Sequence, residues 1–537
     1  MSSSKRARCT SLIQSVQITK EYHGQGLLSR QVAIGDLLDE VLLNTFRHFV
    51  DASPQCWPKL VHVCRKWRHI VFASPLGLRL RLYCTHRTPV LKSLDCWPAL
   101  PIVVKCGGSL SLDPPTPEDE DNIMAALKHS HRVASINLTV TSSLMEKIGT
   151  IVEPFLELED LVLLSQNSAQ LVLPGTFWWG SRLRSLRSTG VAFSALPRRL
   201  LSSPSLIDLQ LHEIPSAGYF SPETFANALS GMTQLQSLSL HFLSLPCRSN
   251  HIDVSPPSGR RIVLPSLTRL KFRGSSNYLD SLLVRIDAPC LGDIEIRFFN
   301  QLTYDVSRIG QFVDRIETQK SYHRADVLTS KRAVSISFTK RGSPTQLRLE
   351  ISCRQSDWQL SCMAQICKHL PASLLGVGDI GINTTRPSTG KDDVDCELWL
   401  ELVRSFRRAK RLFVAGKLAT DIVRALRSAD GEPIAVLPVL QDFYVQEPVT
   451  LYVPVREVTA PFVTFRRLCG RSVRVKYLCS ICKTCLSRQH ELRSHIKRDH
   501  ESQRQHDVCA FTRSSRGTDI CQRQLCRKHG RGVQHSY

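Results

Sequence analysis

The stretch Leu206–Leu240, LIDLQLHEIPSAGYFSPETFANALSGMTQLQSLSL, decides how the rest of the chain is read. It opens on Leu206-x-x-Leu209-x-Leu211 and closes on the same pattern, Leu235-x-x-Leu238-x-Leu240. The alternation ending each pattern is that of a short strand with one buried face. Between the two lies SPETFANALSGM, Ser221 to Met232, whose Ser-Pro-Glu opening is a helix start signal. A strand followed by a helix leaves an apolar face that only the next copy of the unit can close.

Outward from this stretch the pattern recurs at Val133-Ile136-Leu138, Leu158-Leu161-Leu163, Leu183-Leu186, Leu267-Leu270-Phe272 and Leu291-Ile294-Ile296. The steps between successive first positions are 25, 25, 23, 29, 32 and 24 residues. That is the spacing of a leucine-rich repeat, and it predicts an α/β solenoid over residues 76–473. Past Asn300 the repeat blurs. Strand-like segments return at Val334-Ile336-Phe338, Leu347-Leu349-Ile351, Leu375 to Ile382, Leu412 to Val414 and Leu440-Phe443-Val445. Leu398 to Leu412 has a helical pattern, Leu78, Leu80 and Leu82 alternate like a strand, and Asp113 to Asn122 reads as an exposed acidic loop.

Upstream, Ile34 to Pro75 carries two short amphipathic patterns: Leu38, Val41, Leu42, Thr45 and Phe46 in the first, Leu60, Val63, Cys64, Trp67 and Val71 in the second. Asp39 and Glu40 sit in the opening turn, where the helix dipole favours negative charge. Helices this short must dock on the rest of the chain or on a partner. LLDEVLL and LVHVCRKWRHIVFASP resemble the opening and closing segments of an F-box, with Leu38 where that family has a helix-starting Pro. The wording of the repeats, as in YFSPETFANALSGMTQLQSLSLHF and RIDAPCLGDIEIRFFNQL, resembles fungal F-box proteins with irregular leucine-rich repeats. The resemblance assigns residues 31–75 to an F-box-like helical domain. It implies that Leu37, Leu38, Glu40, Val41, Leu42, Val63, Cys64 and Trp67 bind a Skp-type adaptor of a cullin–RING ubiquitin ligase. The repeats would then hold a protein substrate, and catalysis would come from partners.

At the other end, Tyr477 to His500 reads YLCSICKTCLSRQHELRSHIKRDH. Cys479, Cys482, His495 and His500 make C-x2-C-x12-H-x4-H, with Leu486, Leu492 and Tyr477 at the apolar positions of a Cys₂His₂ zinc finger, which residues 474–505 resemble. Two thiolates and two imidazoles close a tetrahedral shell suited to one structural Zn²⁺, and in so small a unit metal binding supplies the folding energy. Pairing Cys482 with Cys485 instead leaves too short a loop before His495. His490-Glu491 with His495 has the wrong step for a zinc protease. The helix positions that would face bases are Arg488, His490, Glu491 and Ser494, enough for about three base pairs, and a lone finger as readily contacts protein or RNA. Residues 506–537 form a basic tail whose Cys509, Cys521, Cys526, His529 and His535 fit no standard finger and suggest a degenerate second one.

Composition narrows the classes. The formal charge is +23, and from Pro461 to Tyr537 there are 17 Lys and Arg against 5 Asp and Glu. Such a tail is attracted to nucleic acid or to an acidic protein surface. The 19 cysteines, scattered and odd in number, point to reduced thiols in nucleus or cytoplasm. The polar start, residues 1–30, lacks an apolar signal core, and no run of about 18 apolar residues marks a membrane span. There is no G-x-S-x-G elbow, phosphate loop or dinucleotide fingerprint, so a non-enzymatic binding protein is expected. Two readings remain: a ligase adaptor, or a zinc-finger nucleic-acid-binding protein with a vestigial F-box.

Overall fold

The computed structural model describes residues 37–479, apart from 87–88, 107–115, 166–170, 194–195, 202, 245–260, 302–303, 305, 317–321, 343–345, 354, 371–374, 386–395, 429–435, 448–451 and 469. The chain divides into two units, residues 1–81 and 82–537.

In the first unit, helix α1 (Asp39–Ala52) follows Leu38, which is extended at φ −61° and ψ 146°. That is the backbone a Pro would have fixed, and here Leu adopts it unaided. Leu42, Phe46 and Val50 repeat every four residues and are all buried. The second amphipathic pattern does not form one helix. It splits into α2 (Pro58–Val61) and α3 (Arg65–Ala73), with Cys64 extended between them. The break turns Leu60, Val61, Ile70 and Val71 inward and leaves Val63 and Cys64 exposed. Trp57, 1% exposed, anchors the unit: its indole N–H donates to the Arg81 carbonyl at 2.8 Å.

The second unit is mixed α/β around a sixteen-stranded sheet. Its strands, numbered in chain order, are β1 (Leu82–Thr85), β2 (Ile102–Cys106), β3 (Val133–Val140), β4 (Asp160–Ser165), β5 (Ser185–Thr189), β6 (Asp208–Ile214), β7 (Ser237–Phe242) and β8 (Arg269–Gly274). There follow β9 (Asp293–Phe298), β10 (Arg324–Thr329), β11 (Ala333–Thr339), β12 (Gln346–Ser352), β13 (Asp379–Thr384), β14 (Arg411–Ala415), β15 (Asp442–Glu447) and β16 (Arg474–Cys479). The first nine lie side by side in chain order, all parallel. Each sequence repeat therefore supplies one strand. Leu209 pairs with Leu238, Leu238 with Leu270 and Leu270 with Ile294, all of them at most 1% exposed. This register stacks like on like and makes one continuous apolar face.

The blur past Asn300 has a topological cause. After β9 the spatial order is β12, β11, β10, and then β13 to β16. The pairs β10–β11 and β11–β12 are antiparallel, because the short connections between them leave no room for a crossover. Strand β10 had no counterpart in the sequence reading. The parallel ladder resumes between β10 and β13 and continues to β16.

The helix expected after Ser221 runs Pro222–Leu229, its start held by Thr224 N–H donating to Ser221 Oγ at 3.1 Å. The acidic segment 113–122, expected as a loop, is helical from Pro117 to Leu127. Thr116 and Asp119 form a reciprocal capping box that makes the acidic run a helix start. The alternation at Leu78, Leu80 and Leu82 becomes a strand only from Leu82. At the far end β16 carries the sheet to Cys479, six residues into the segment read as the finger.

Candidate functional site

The residues assigned to adaptor binding sort into two groups. Leu38, Val41 and Val63 are 70%, 46% and 58% exposed, and Glu40 and Cys64 are exposed beside them in sequence. Leu37 is half-buried, and Lys66 donates to its carbonyl at 2.8 Å while pairing with Asp39 at 3.2 Å, which ties α3 to the start of α1. Leu42 and Trp67 belong to the other group. Leu42 is 2% exposed, and Trp67 lies against Phe46 with ring centroids 4.7 Å apart. Leu42 is taken up by the core of the unit, while Trp67 is half-buried, with part of its ring packed on Phe46.

The second candidate is the face of the sheet opposite the buried leucines. Positions on this face sit in register, so each column is a row of side chains about 4.8 Å apart. In the last repeats one row is a ladder of opposite charges. Arg324 is bidentate to Asp326, with Nη2 at 2.6 Å from Oδ1. Arg411 grips Asp379 at 2.7 and 2.8 Å, and Arg474 Nη2 reaches Asp442 at 3.2 Å. Gly381 makes room for this: a Cβ there would lie 2.0 Å from Asp326 Oδ1. Beside the ladder, Phe413 and Tyr444 stack at 4.5 Å and 8°, with the Arg324 guanidinium 4.8 Å from the Phe413 centroid and the Lys476 ammonium 5.2 Å from that of Tyr444. The aromatic faces are thus taken by neighbours and by cations.

The central repeats differ. His212 and His241, on β6 and β7, stack at 4.2 Å and 10°. Both reach Ser239 Oγ through Nε2, at 2.9 and 3.4 Å. Burial pushes both imidazoles below their ordinary range, His241 to about 4. For His241 the next causes are His212, Arg273 and Arg297, partly offset by Glu295. For His212, Glu213 and Asp208 pull upward against Lys271 and Arg187. Next in the row after His241 come Arg273, Arg297 and Glu350. Arg297 donates to Glu350 at 3.3 Å, and Arg348 donates to the same carboxylate at 3.0 Å. Lys271 pairs with Glu295 at 3.1 Å and Arg187 with Asp208 at 3.0 Å. Arg273 has no carboxylate partner among the described residues. Its Nε is buried without a hydrogen bond, and its guanidinium lies 5.9 Å from the Phe299 ring centre.

The zinc set falls almost wholly outside the described residues. Cys479 ends β16, while Cys482, His495 and His500 lie outside the described residues, as do Arg488, His490, Glu491 and Ser494. Tyr477, expected as an aromatic of the finger, hydrogen-bonds through its hydroxyl to Thr459 Oγ1 at 2.7 Å within the sheet unit. Among the described residues no group of three or more His, Cys, Asp or Glu is placed to hold a metal, and no helix is long and apolar enough to cross a membrane.

No family model matches the chain, and no curated protein matches it. Among solved structures it is similar to the leucine-rich repeat-containing protein LegL7 from Legionella pneumophila, at 11% identity and a TM-score of 0.27, over 73% of this chain and 98% of that one.

Proposed function

We propose that the chain is a substrate-recognition adaptor: its helical unit docks on a Skp-type adaptor of a cullin–RING ubiquitin ligase, and its sheet holds a protein substrate. The observation that carries this is the exposure of Leu38, Val41 and Val63 beside a core of Leu42, Phe46, Val50, Leu60, Ile70 and Val71. An apolar face of two short helices suits a groove-type partner. The sheet's open face supports a protein rather than a nucleic-acid partner, because its cations alternate with carboxylates that would repel a phosphate backbone. Catalysis belongs to the partners, and this chain contributes geometry.

The test is co-purification of the full chain with a Skp-type adaptor. Val41→Asp with Val63→Asp puts charge on the exposed face while leaving the buried Leu42, Phe46 and Ile70 in place, and is expected to abolish recovery without lowering the melting temperature. Recovery unchanged by this pair would sink the reading.

A zinc ion held by Cys479, Cys482, His495 and His500 is the second element of the proposal. The donor set, two thiolates and two imidazoles, fits a structural zinc, with Cys479 at the end of β16 linking it directly to the sheet. When bound, the ion would order the segment after the sheet and supply no catalysis. Metal analysis of the full chain is expected to give one zinc, lost in Cys482→Ser. A wild-type chain without zinc would remove the site.

A further inference from the structure

The row His212, His241 and Arg273 is built differently from the rest of the open face. Several basic side chains on that face meet carboxylates: Arg187 meets Asp208, Lys271 meets Glu295, and Arg297 and Arg348 share Glu350. Among the described residues Arg273 meets none, and its buried Nε is left without an acceptor. A guanidinium is never neutral in a protein, so it cannot shed its charge to suit a dry position, and a missing acceptor costs desolvation energy. Beside it stand two imidazoles whose Nε2 atoms converge on one hydroxyl, Ser239 Oγ. That hydroxyl has one proton, so it donates to one ring and accepts from the other, and at least one ring must carry its proton on Nε2.

We infer that His212, His241 and Arg273 form a binding site for the carboxylates of an acidic peptide segment laid across strands β6, β7 and β8. Arg273 supplies a fixed cation without a carboxylate partner among the described residues, and the histidines supply donors that become cationic when a carboxylate arrives. The row spans about 10 Å, two strand spacings, which two or three acidic residues of an extended peptide cover. The charge pattern decides between occupants. Asp208, Glu295 and Glu350 lie within the same field, so a polyanion with a charge at every step is repelled on both flanks, whereas a short acidic run between neutral residues is accepted.

The groups facing the histidines set the pH behaviour. Arg187, Lys271, Arg273 and Arg297 oppose a proton on them, as each ring does on the other, while Asp208, Glu213 and Glu295 favour it. A bound carboxylate adds to the second set, so binding takes up protons and tightens as pH falls. The inference takes from the proposed function only that the sheet holds a protein. Its test uses no adaptor, so either can fail without the other.

The experiment is calorimetric titration of the full chain with an acidic peptide probe, a short oligoglutamate flanked by glycines, near pH 7.5 and near pH 5.5. The expected result is about tenfold tighter binding at the lower pH, with proton uptake seen by changing buffer ionisation enthalpy. Arg273→Gln should weaken binding about tenfold at both pH values, and His241→Asn should weaken binding at both and flatten most of its pH dependence. Histidine Cε1 proton shifts, followed through a pH titration with and without peptide, give a readout independent of any variant's fold: the probe should raise two titration midpoints. Three results would overturn the inference: binding indifferent to pH and to Arg273→Gln, an equal loss in the carboxylate-paired control Arg348→Gln, or inorganic phosphate binding where the peptide does not.

Discussion

The central repeats, β6 to β9, and the last repeats, β13 to β16, share one scaffold and use its open face in opposite ways. On the buried side they are interchangeable, with Leu238 and Leu412 both wholly buried in one row of the register. On the open side the last repeats close on themselves, since Arg324, Arg411 and Arg474 each grip an aspartate and the stacked rings are flanked by cations. The central repeats leave a guanidinium without a carboxylate partner among the described residues, beside two imidazoles that meet only each other and a hydroxyl. In a stacked sheet, burial fixes the fold, and what the outward side chains do with one another decides whether a repeat stabilises its neighbours or presents a surface.

The strongest test of the shared scaffold is to cut the same apolar position in both regions. Leu238→Ala and Leu412→Ala should each cost about 3 kcal/mol in denaturant unfolding, since each removes a fully buried side chain from a face that cannot collapse. A cost below about 1 kcal/mol at Leu412 alone would mean that the last repeats are not packed like the central ones.

Gly381 tests the closed face. A Cβ there meets Asp326 Oδ1 at 2.0 Å and Arg324 Nη2 at 3.0 Å, so Gly381→Ala must push the carboxylate off its partner. The expected destabilisation is about 2 kcal/mol. In an Asp326→Ala background the same substitution should cost far less, because the obstructing oxygen is gone. Additive costs in that double-mutant cycle would show that the ion pair does not depend on the notch.

The inward half of this comparison was legible in the sequence, and the outward half only in part. Leucines at fixed steps announce the stacked strands because burial demands an apolar residue at every copy. The column after the last apolar residue was readable too: His212 follows Leu211, His241 follows Leu240, Arg273 follows Phe272 and Arg297 follows Ile296. Aligning the repeats puts these four in one row. What no alignment supplies is the register of β10 to β12, where two reversals set Arg324 across from Asp379. The helical unit shows the same limit. One amphipathic pattern takes in the exposed Leu38, Val41, Val63 and Cys64 together with the buried Leu42 and the half-buried Trp67, because an amphipathic stripe does not say which of its residues the fold itself consumes.

The open face should also reveal itself in acid. In the unfolded chain His241 takes a proton near its ordinary pKa, about 6.5. In the fold it resists protonation until about 4, chiefly because it is buried and beside His212 and Arg273. Between those values the unfolded state binds more protons, so stability is full above about pH 6.5 and declines as pH falls toward 4. With the ring still partly in contact with water, the loss is about 1 kcal/mol. His241→Asn should flatten that part of the stability–pH curve, and an unchanged slope would place the acid sensitivity elsewhere.

The smallest effect expected is at Lys271, the carboxylate-paired neighbour of the uncommitted row. Its bond to Glu295 at 3.1 Å joins β8 to β9, yet 45% of the lysine side chain is exposed, so solvent offsets most of the attraction. Lys271→Gln should therefore cost about 0.3 kcal/mol or less in unfolding. Its effect on binding runs the other way. Removing the lysine frees Glu295, whose charge favours a proton on His241, so the histidine should titrate higher and the pH at which an acidic peptide begins to tighten should rise. A variant nearly silent in stability yet visible in the pH profile of binding would separate the two uses of the face within one repeat. If both measurements stayed silent, Lys271 would be a solvated side chain with no part in either.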